Sequence, residues 1–265
     1  MITEFNHVGI LVSNMDKTVE FYSEYLGGKV INEALIPSSN TKCVYLQISG
    51  GTLEFLCRGN QADPSNVLGF SHLAFMVDNL DQTYEEFTSA GLDFAVKPKA
   101  AGTGRGRLAF LPDPNGVRLE IIERDDSFRR PKITEGKIRS FDHVSLTANN
   151  LEAAEKFYSN FAGFRPLKRM KIEERNLTMV YVINGDDVIE FLHRPTPQTD
   201  GNLIGHIALR VDDVHEMTEI LKSKGVRFDP DSPKKAGTGL GSVSNFRDPD
   251  GVKIELVDRK DLREL

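Results

Sequence analysis

The 265-residue sequence has few cysteines and no long apolar run, and these two shortages exclude several classes of protein. Its two cysteines, Cys43 and Cys57, form no CxxC pair, so neither a disulfide framework nor a zinc ribbon is expected. No stretch approaches the roughly 18 apolar residues that a membrane-spanning helix needs. The N-terminus also lacks the basic and apolar segments of a signal peptide. We therefore expect a cytoplasmic protein with no membrane partner.

Positive charge is also scarce. The chain has 33 Lys and Arg against 39 Asp and Glu, which gives a net charge of −6. Proteins that bind nucleic acids generally carry a basic excess, so we expect no nucleic-acid partner. The hydrophobic fraction of 39% and the charged fraction of 27% are ordinary for a globular protein. The length suggests two domains.

The chain repeats itself. The segment FNHVGILVSNMDKTVEFYSEYLGGKV at 5–30 returns as FDHVSLTANNLEAAEKFYSNFAGFRP at 141–166. The segment KAAGTGRGRLAFLPDPNGVRLEII at 99–122 returns as KKAGTGLGSVSNFRDPDGVKIELV at 234–257. Because both offsets are close to half the chain, the sequence indicates a tandem duplication. We predict one domain at 1–125, a linker at 126–137 and a second domain at 138–260.

Each half divides again. The segments 69–94 and 203–228 have the same order of strand, cap, helix, glycine and strand as the openings of the two halves. Short apolar strands follow each helix, which predicts four βαβββ modules and an α+β fold. The side chains that we expect to cap the four helix N-termini are Asn14 or Ser13, Asn79 or Asp78, Asn150, and Asp212.

Histidine and glutamate recur at matching places in the four modules. Only six histidines are present, and four of them begin the first strand of a module: His7, His72, His143 and His206. Each module also has a glutamate within an apolar later strand: Glu54, Glu120, Glu190 and Glu255. The successive separations are 47, 18 and 48 residues in the first half and 47, 16 and 49 in the second.

This pattern points to metal binding. A carboxylate flanked by apolar residues on a strand is costly to bury unless it is paired or bound to a metal. Imidazole and carboxylate together suit divalent zinc, nickel, cobalt, manganese or iron. One such histidine alone would be read as a satisfied core residue. Eight residues that recur in register favour a metal cofactor over coincidence.

Two glycine-rich loops, at 101–107 and 236–241, precede the later strands of each half. Neither loop opens a helix, so we interpret both as hairpin turns and not as phosphate-binding loops. Arg105 and Arg107 in the first loop are candidates to hold a carboxylate or phosphate of the substrate. Leu240 and Ser242 replace them in the second loop, so the two sites are predicted to differ in substrate or in activity.

Arg210 is a third candidate for substrate binding. It follows His206 by four residues and therefore shares its face of the strand. An inward arginine needs an anionic partner. That partner is either the substrate or a carboxylate of the protein, and the sequence leaves both open.

Three motifs carry a resemblance to a known family. They are H-V-G-I-x-V-x-x-M-D-x-T-x-x-F-Y-x-x-x-L-G at 7–27, D-P-N-G-V-x-L-E at 113–120 and D-P-D-G-V-x-I-E at 248–255. The pattern resembles the vicinal oxygen chelate superfamily, which includes glyoxalase I, methylmalonyl-CoA epimerase, extradiol dioxygenases and bleomycin-resistance proteins. The resemblance implies paired modules that curl into funnel-shaped sheets. Inside each funnel, the first-strand histidine and last-strand glutamate of both modules would hold the metal.

The resemblance also implies roles for the glutamates. Glu120 and Glu255 would be metal ligands that act as the catalytic base, and Glu54 and Glu190 would be ligands or opposing bases. The implied reaction is that of an isomerase, epimerase or lyase, with proton transfer through a metal-bound enediolate of a small oxygen-chelating substrate. A small molecule is thus the expected partner, and a homodimer is left open.

The pairing of modules differs among members of this family. In some, neighbouring modules share a funnel, and in others the modules are exchanged between domains. The short run from Glu54 to His72 is compatible with exchange, and the sequence leaves both arrangements open. Exchange would group His7 and Glu54 with His206 and Glu255, and it would group His72 and Glu120 with His143 and Glu190.

Two differences bear on the substrate. Glutathione-dependent members have an arginine four residues after the first histidine, and Leu11 and Thr147 stand there in this chain. We therefore predict an enzyme that is not linked to glutathione. An iron extradiol dioxygenase is an alternative, although Glu54 and Glu190 would fill a position that those enzymes leave unliganded. A non-catalytic binding or resistance protein is a further alternative, but it would be free to lose the ligand residues, and none is missing.

Overall fold

A computed structural model describes residues 2–59, 67–198 and 202–264. The first half consists of β1 (Ile2–Leu11), α1 (Met15–Leu26), β2 (Lys29–Ile36), β3 (Thr41–Ile48), β4 (Gly51–Cys57), β5 (Gly69–Val77), α2 (Leu80–Ser89), β6 (Val96–Ala100), β7 (Arg107–Pro112) and β8 (Arg118–Glu123). The second half consists of β9 (Ser140–Thr147), α3 (Leu151–Ala162), β10 (Arg165–Ile172), β11 (Leu177–Asn184), β12 (Asp187–His193), β13 (Ile204–Arg210), α4 (Val214–Ser223), β14 (Lys234–Lys235), β15 (Ser242–Arg247) and β16 (Lys253–Val257). The predicted α+β class and the four βαβββ modules are confirmed. No helix in the described ranges is long and apolar enough to cross a membrane.

Polar side chains cap the N-termini of the four helices. Asn14, Asn79 and Asn150 each accept a hydrogen bond from the backbone N–H three residues later, as predicted. The fourth cap is Asp213, so the prediction of Asp212 is wrong by one residue. Asp212 instead pairs with the guanidinium of Arg139.

Each half folds into one eight-stranded sheet. The strand order is β2-β3-β4-β1-β5-β8-β7-β6 in the first half and β10-β11-β12-β9-β13-β16-β15-β14 in the second. At the centre of the first sheet, β1 is antiparallel to β5, the first strand of the neighbouring module. The two modules of one half therefore share a sheet, which decides between the two arrangements that the sequence left open and excludes exchange between halves.

The short connection between β4 and β5 does not hinder this pairing. Leu56 near the end of β4 and Gly69 at the start of β5 both lie beside Leu11 of β1, on its two sides. The connection therefore spans two inter-strand spacings, about 10 Å. The chain between Cys57 and Gly69 is long enough to cover that distance. Modules joined this closely can therefore fold against each other.

Side chains alternate between the two faces of each sheet. On β4, Leu53 and Phe55 are fully buried in the core, while Glu54 lines a cavity on the concave face. On β8, Leu119 and Ile121 are buried in the core, and Glu120 lines the same cavity. We call the concave face of the β1–β8 sheet the first funnel and that of the β9–β16 sheet the second funnel.

Two buried hydrogen bonds connect the halves. The hydroxyl of Tyr22 on α1 donates to Asp248 in the DPDG turn at 3.0 Å. The hydroxyl of Tyr158 on α3 donates to Asp113 in the DPNG turn at 3.3 Å. Burial raises the pKa of Asp248 to about 6. Both tyrosine rings are buried.

The segment 124–139 contains no helix or strand, although all of its residues are described. It packs against both halves. The guanidinium of Arg129 pairs with Asp187 at 3.1 Å and donates to the carbonyl of Phe5 at 2.6 Å. The predicted domain boundaries at 125 and 138 fall within this segment and stay a prediction.

Candidate metal centre and cavities

Four predicted ligand residues of the first half converge in the first funnel. The Nε2 atoms of His7 and His72 are 3.3 Å apart. Each of these atoms lies 3.4 Å from Oε2 of Glu54 and 3.4 Å from Oε2 of Glu120. All four residues are buried.

These distances fit a tetrahedral metal ion. In a regular tetrahedron with edges near 3.4 Å, the centre lies about 2.1 Å from every vertex, which is the usual distance from zinc to nitrogen or oxygen ligands. Two neutral imidazoles and two carboxylates also match the ligand preferences of zinc, manganese, nickel, cobalt and iron. The first funnel therefore brings together four ligand atoms at distances that suit a divalent ion.

A polar pair fixes the orientation of His7. Its Nδ1 lies 2.8 Å from Oδ1 of Asn6, and Arg124 donates to the same oxygen at 2.7 Å. Because the arginine is only a donor, Oδ1 must be an acceptor, so Nδ1 of His7 carries the proton. Nε2 is then left with a lone pair directed at the ligand cluster.

A missing side chain makes room for His72. Gly9 on β1 lies directly beside both Glu54 and His72 in the sheet. A Cβ atom at Gly9 would lie only 2.1 Å from Cε1 of His72. The imidazole therefore occupies the space that glycine leaves, and Oγ of Ser71 lies 3.1 Å from its Nδ1.

The two glutamates of the first funnel differ in their second oxygen. The hydroxyl of Tyr45 donates to Oε1 of Glu54 at 2.5 Å, which holds that carboxylate in place. For Glu120, no hydrogen bond to Oε1 is present among the described residues. Glu120 therefore has a carboxylate oxygen available to a ligand in the cavity.

The close packing of these groups perturbs their pKa values. Burial alone would raise the pKa of Glu120, but its hydrogen bonds with His7 and His72 outweigh burial and lower the pKa to about 2. Burial likewise opposes the charged form of His72, yet hydrogen bonds with Glu120 and Glu54 raise its pKa to about 9. Without a metal, a charged His72 would form ion pairs with the carboxylates of Glu54 and Glu120.

The second funnel repeats the cluster only in part. Ligand atoms of His143, His206 and Glu255 lie within 4.8 Å of one another, and Glu190 is not part of that group. The Nε2 atoms of His143 and His206 are 3.2 Å apart, and they lie 3.5 and 3.6 Å from Oε2 of Glu190. Oε1 of Glu255 lies 3.7 Å from Nε2 of His206. Within the described part of the chain, Oε2 of Glu190 is buried without a hydrogen-bond partner, and such an oxygen beside two imidazoles also fits a metal ion.

The supporting residues of the second funnel are different. Asp142, which pairs with Arg259 at 2.5 Å, takes the place of Asn6 and lies 2.7 Å from Nδ1 of His143. Ser145 stands where the first funnel has Gly9, and its buried hydroxyl has no hydrogen-bond partner among the described residues. Gly205 stands where the first funnel has Ser71, so His206 lacks the corresponding serine.

The ionisable groups of the second funnel reflect these differences. Burial raises the pKa of Glu255 to about 7, because the carboxylate is farther from its histidines than Glu120 is. Burial lowers the pKa of His206 to about 3. Burial opposes the charged form of His143, but Glu190 and Asp142 raise its pKa to about 10.

Both clusters open into cavities of unequal size. The first cavity has a volume of about 560 Å³ and the second about 220 Å³. Phe110 forms part of the first wall, with its ring centroid 5.9 Å from that of His72 and the guanidinium of Arg118 stacked 3.9 Å above it. The second wall has Asn245 and Lys253 at the matching positions.

The predicted substrate-binding arginines have different surroundings. Arg105 lines the first cavity, and its guanidinium donates to Oδ1 of Asn32 at 3.1 Å. Arg107 lines the same cavity but forms a bidentate pair with the exposed Asp81. Arg210 is not part of the second cavity wall. Its guanidinium contacts Ser140 and the carboxylate of Asp261. Of the two anionic partners that the sequence left open, the substrate or a protein carboxylate, the structure therefore shows the protein carboxylate.

Sequence reasoning missed the residues that support the ligands. They are Asn6, Gly9, Tyr45, Ser71, Arg124, Asp142, Tyr181 and Arg259. A signal was present for part of this group, because Tyr45 and Tyr181, like Arg124 and Arg259, recur at the offset of the duplication. Tyr181 donates to Glu190 at 2.5 Å, as Tyr45 does to Glu54.

A comparison with known families agrees with this architecture. The family model described as Glyoxalase/Bleomycin resistance protein/Dioxygenase superfamily matches residues 4–121 and 140–256. The chain belongs to this superfamily. Its two matched segments correspond to the two funnels, and the predicted resemblance is confirmed.

Relatives within the superfamily narrow the type of protein. The chain is 30% identical to lactoylglutathione lyase GLX1 of Arabidopsis thaliana in an alignment 275 residues long, gaps included. The alignment covers 98% of this chain and 94% of that protein. This similarity supports the predicted enzyme of the glyoxalase type over a non-catalytic binding protein. It gives no support to the prediction that the substrate is not linked to glutathione.

Solved structures share the fold. The Mn(II)-bound glyoxalase from Novosphingobium aromaticivorans is 18% identical with a TM-score of 0.69, over 98% of this chain and 83% of that one. The 2,3-dioxygenase LapB from Pseudomonas sp. KL28 is 15% identical with a TM-score of 0.69, over 97% of this chain and 92% of that one. At these identities the likeness concerns the fold alone.

Proposed function

We propose that the first funnel catalyses a glyoxalase I type isomerisation. The substrate would be the adduct of a 2-oxoaldehyde and a thiol, and the product would be the thioester of a 2-hydroxy acid. The observation that carries this proposal is the convergence of His7, His72, Glu54 and Glu120, with one oxygen of Glu120 left available. The similarity to a lactoylglutathione lyase over nearly the whole chain supports the reaction type.

The four residues fit a divalent ion, which would supply Lewis-acid polarisation of two adjacent substrate oxygens. Glu120 would accept the proton from the carbon that bears the hydroxyl and the sulfur, and return it to the neighbouring carbonyl carbon. The hydroxyl proton would move to the former carbonyl oxygen, so the reaction needs no oxidant or reductant. Glu54 would stay in place, because Tyr45 holds its other oxygen.

The first cavity has features that suit an anionic thiol such as glutathione. Its volume of about 560 Å³ lies in the range that holds a small organic ligand. The guanidinium groups of Arg105, Arg118 and Arg124 line it, and none of the three pairs with a carboxylate in the described part of the chain. These groups would bind the carboxylates of the thiol in place of the arginine that Leu11 replaces.

The test is an assay of thioester formation from methylglyoxal and glutathione by the metal-loaded chain. We expect Glu120→Gln to lower kcat by about 10²- to 10⁴-fold, the usual contribution of a general base. The matched variant Glu255→Gln changes the other funnel and should leave most of the first funnel's turnover. Wild-type protein that holds zinc, manganese, nickel or cobalt but forms no thioester would refute the proposal.

The sequence also leaves open an extradiol dioxygenase, and the solved dioxygenase LapB shares only the fold with this chain. The cluster geometry does not favour it, since Glu54 lies as close to both histidines as Glu120 does. Oxygen consumption by the iron-loaded chain with catechol would support the dioxygenase. Its absence, together with thioester formation, would support the isomerase.

A further inference from the structure

The wall of the second cavity contains a buried amide oxygen that has no hydrogen-bond partner among the described residues. Asn245 on β15 is 5% exposed and lies directly beside Glu255 on β16. Its Oδ1 has no hydrogen-bond partner in the described part of the chain. Leaving a buried carbonyl oxygen unpaired is costly, so this atom is suited to a hydrogen-bond donor that enters with a ligand.

The same position in the first funnel has a different chemistry. Phe110 lies beside Glu120, as Asn245 lies beside Glu255. The ring of Phe110 and the guanidinium of Arg118 present a flat surface to the cavity. The two funnels thus keep similar metal ligands but present an aromatic face in one and an amide in the other.

The remaining wall of the second cavity limits the size of a ligand. Its volume of about 220 Å³ is below the roughly 300 Å³ at which sites for drug-sized ligands begin. Its wall includes the apolar side chains of Leu177, Met179, Leu192, Leu240 and Val243, beside the cationic side chains of Arg175, Arg194, Lys234, Lys253 and Arg259. Leu240 stands in the place of Arg105, so one charged contact of the first funnel is replaced by a hydrocarbon.

We infer that the second funnel is a separate binding site for a compact oxygen chelator, a short 2-hydroxycarbonyl or hydroxamate-like molecule whose hydroxyl or N–H group bonds to Asn245. Two adjacent oxygens of this molecule would face His143, His206 and Glu255, and its short carbon chain would contact Leu240 and Val243. The inference rests on the proposed function in one respect: His143, His206 and Glu255 would hold the same kind of divalent ion that the proposed function requires in the first funnel.

The probe for this site is acetohydroxamate, which has two adjacent oxygens, one N–H group and one methyl group. The full chain is loaded with zinc and carries His72→Ala and Glu120→Gln, so that the first funnel loses two ligands. We expect this parent to hold one zinc and to bind one acetohydroxamate in a calorimetric titration. Benzohydroxamate, with a phenyl group in place of methyl, should bind at least tenfold more weakly because of the cavity volume.

Variants of the parent test the amide itself. Asn245→Ala should weaken acetohydroxamate about tenfold, as expected for loss of one buried hydrogen bond. Asn245→Phe should abolish binding by filling the cavity, and Phe110→Ala in the other funnel should change nothing. Zinc content and circular dichroism establish that each variant is folded and loaded. Equal affinity of the parent and Asn245→Ala would overturn the inference, as would a parent that holds no zinc or binds no acetohydroxamate.

Failure of this inference is distinguishable from failure of the proposed function. Thioester formation by the wild-type chain tests the first funnel alone. If thioester formation were normal and hydroxamate affinity were unchanged in Asn245→Ala, only the inference would be overturned. Absence of thioester formation with binding that depends on Asn245 would overturn only the proposed function.

Discussion

Substitution of Gly9 by alanine tests how the first funnel positions its second histidine. The added Cβ would lie 2.1 Å from Cε1, 2.4 Å from Nδ1 and 2.6 Å from Nε2 of His72. Favourable contacts between carbon atoms lie near 3.5–4.0 Å, so the ring must move by about 1.5 Å. Metal ligands tolerate displacements of only about 0.2 Å. The alanine variant should therefore lose His72 as a ligand.

The expected magnitude follows from this loss. Disturbing the partners of a metal ligand costs about 10- to 100-fold in affinity, and displacement of the ligand itself costs at least the upper figure. A 100-fold loss corresponds to about 2.8 kcal/mol of binding free energy. Crowding of the buried ring should also lower the free energy of unfolding of the metal-free chain by about 1–3 kcal/mol.

The assay is competition for zinc between the protein and a chromogenic chelator. The parent chain carries Glu190→Gln and His206→Ala, so that the first funnel dominates zinc binding. Gly50→Ala is the matched control, because a Cβ at Gly50 meets nothing within 4 Å. If Gly9→Ala bound zinc within threefold of the parent, the account of His72 packed over Gly9 would be refuted.

Four further outcomes are expected. Tyr45→Phe removes the donor to a buried oxygen of Glu54 and should lower the free energy of unfolding by about 1–3 kcal/mol, measured by urea denaturation. An unchanged midpoint would contradict this. Burial raises the pKa of Asp248 to about 6, so its contribution to stability is fully present below about pH 4 and is lost as the pH rises through 6. Over that window the loss approaches about 3 kcal/mol. Asp248→Asn should remove this part of the pH dependence, and identical pH profiles would count against it. Arg129→Met leaves the half-buried carboxylate of Asp187 unpaired and should destabilise the chain by about 1–3 kcal/mol. The exposed control Arg130→Met should cost less than about 1 kcal/mol. Removal of zinc with a chelator should lower the unfolding temperature, and zinc at 1,000 times its dissociation constant should restore about 4 kcal/mol. An unfolding temperature that is the same with and without zinc would argue against a metal site.

The ligand candidates could be predicted from the sequence because the duplication repeats them at matching positions. Strand periodicity places alternate residues on one face, so a histidine and a glutamate at fixed positions in similar strands must meet when the strands pair. The same periodicity separates Glu54 from its core neighbours Leu53 and Phe55. The positions of the eight ligand candidates therefore followed from local patterns and their repetition.

Other features depend on contacts between distant segments. The pairing of β1 with β5 decides that neighbouring modules share a funnel, and chain spacing alone left both arrangements open. The sequence gives no sign that Gly9 must be small, because His72 is 63 residues away. Arg210 shows the same limit, since its partner Asp261 lies beyond the last strand.

The reciprocal contacts between the halves have a consequence for the origin of the chain. Tyr22 of the first half bonds to Asp248 of the second, and Tyr158 of the second half bonds to Asp113 of the first. A contact in which each copy offers the same two positions to the other is the signature of a two-fold symmetric dimer. The molecule is in this sense a dimer of half-length subunits whose partners became covalently joined, and its linker replaces subunit concentration with a fixed local concentration. Once joined, the two copies no longer had to remain identical. Gly9 in the first funnel and Ser145 in the second are one such difference.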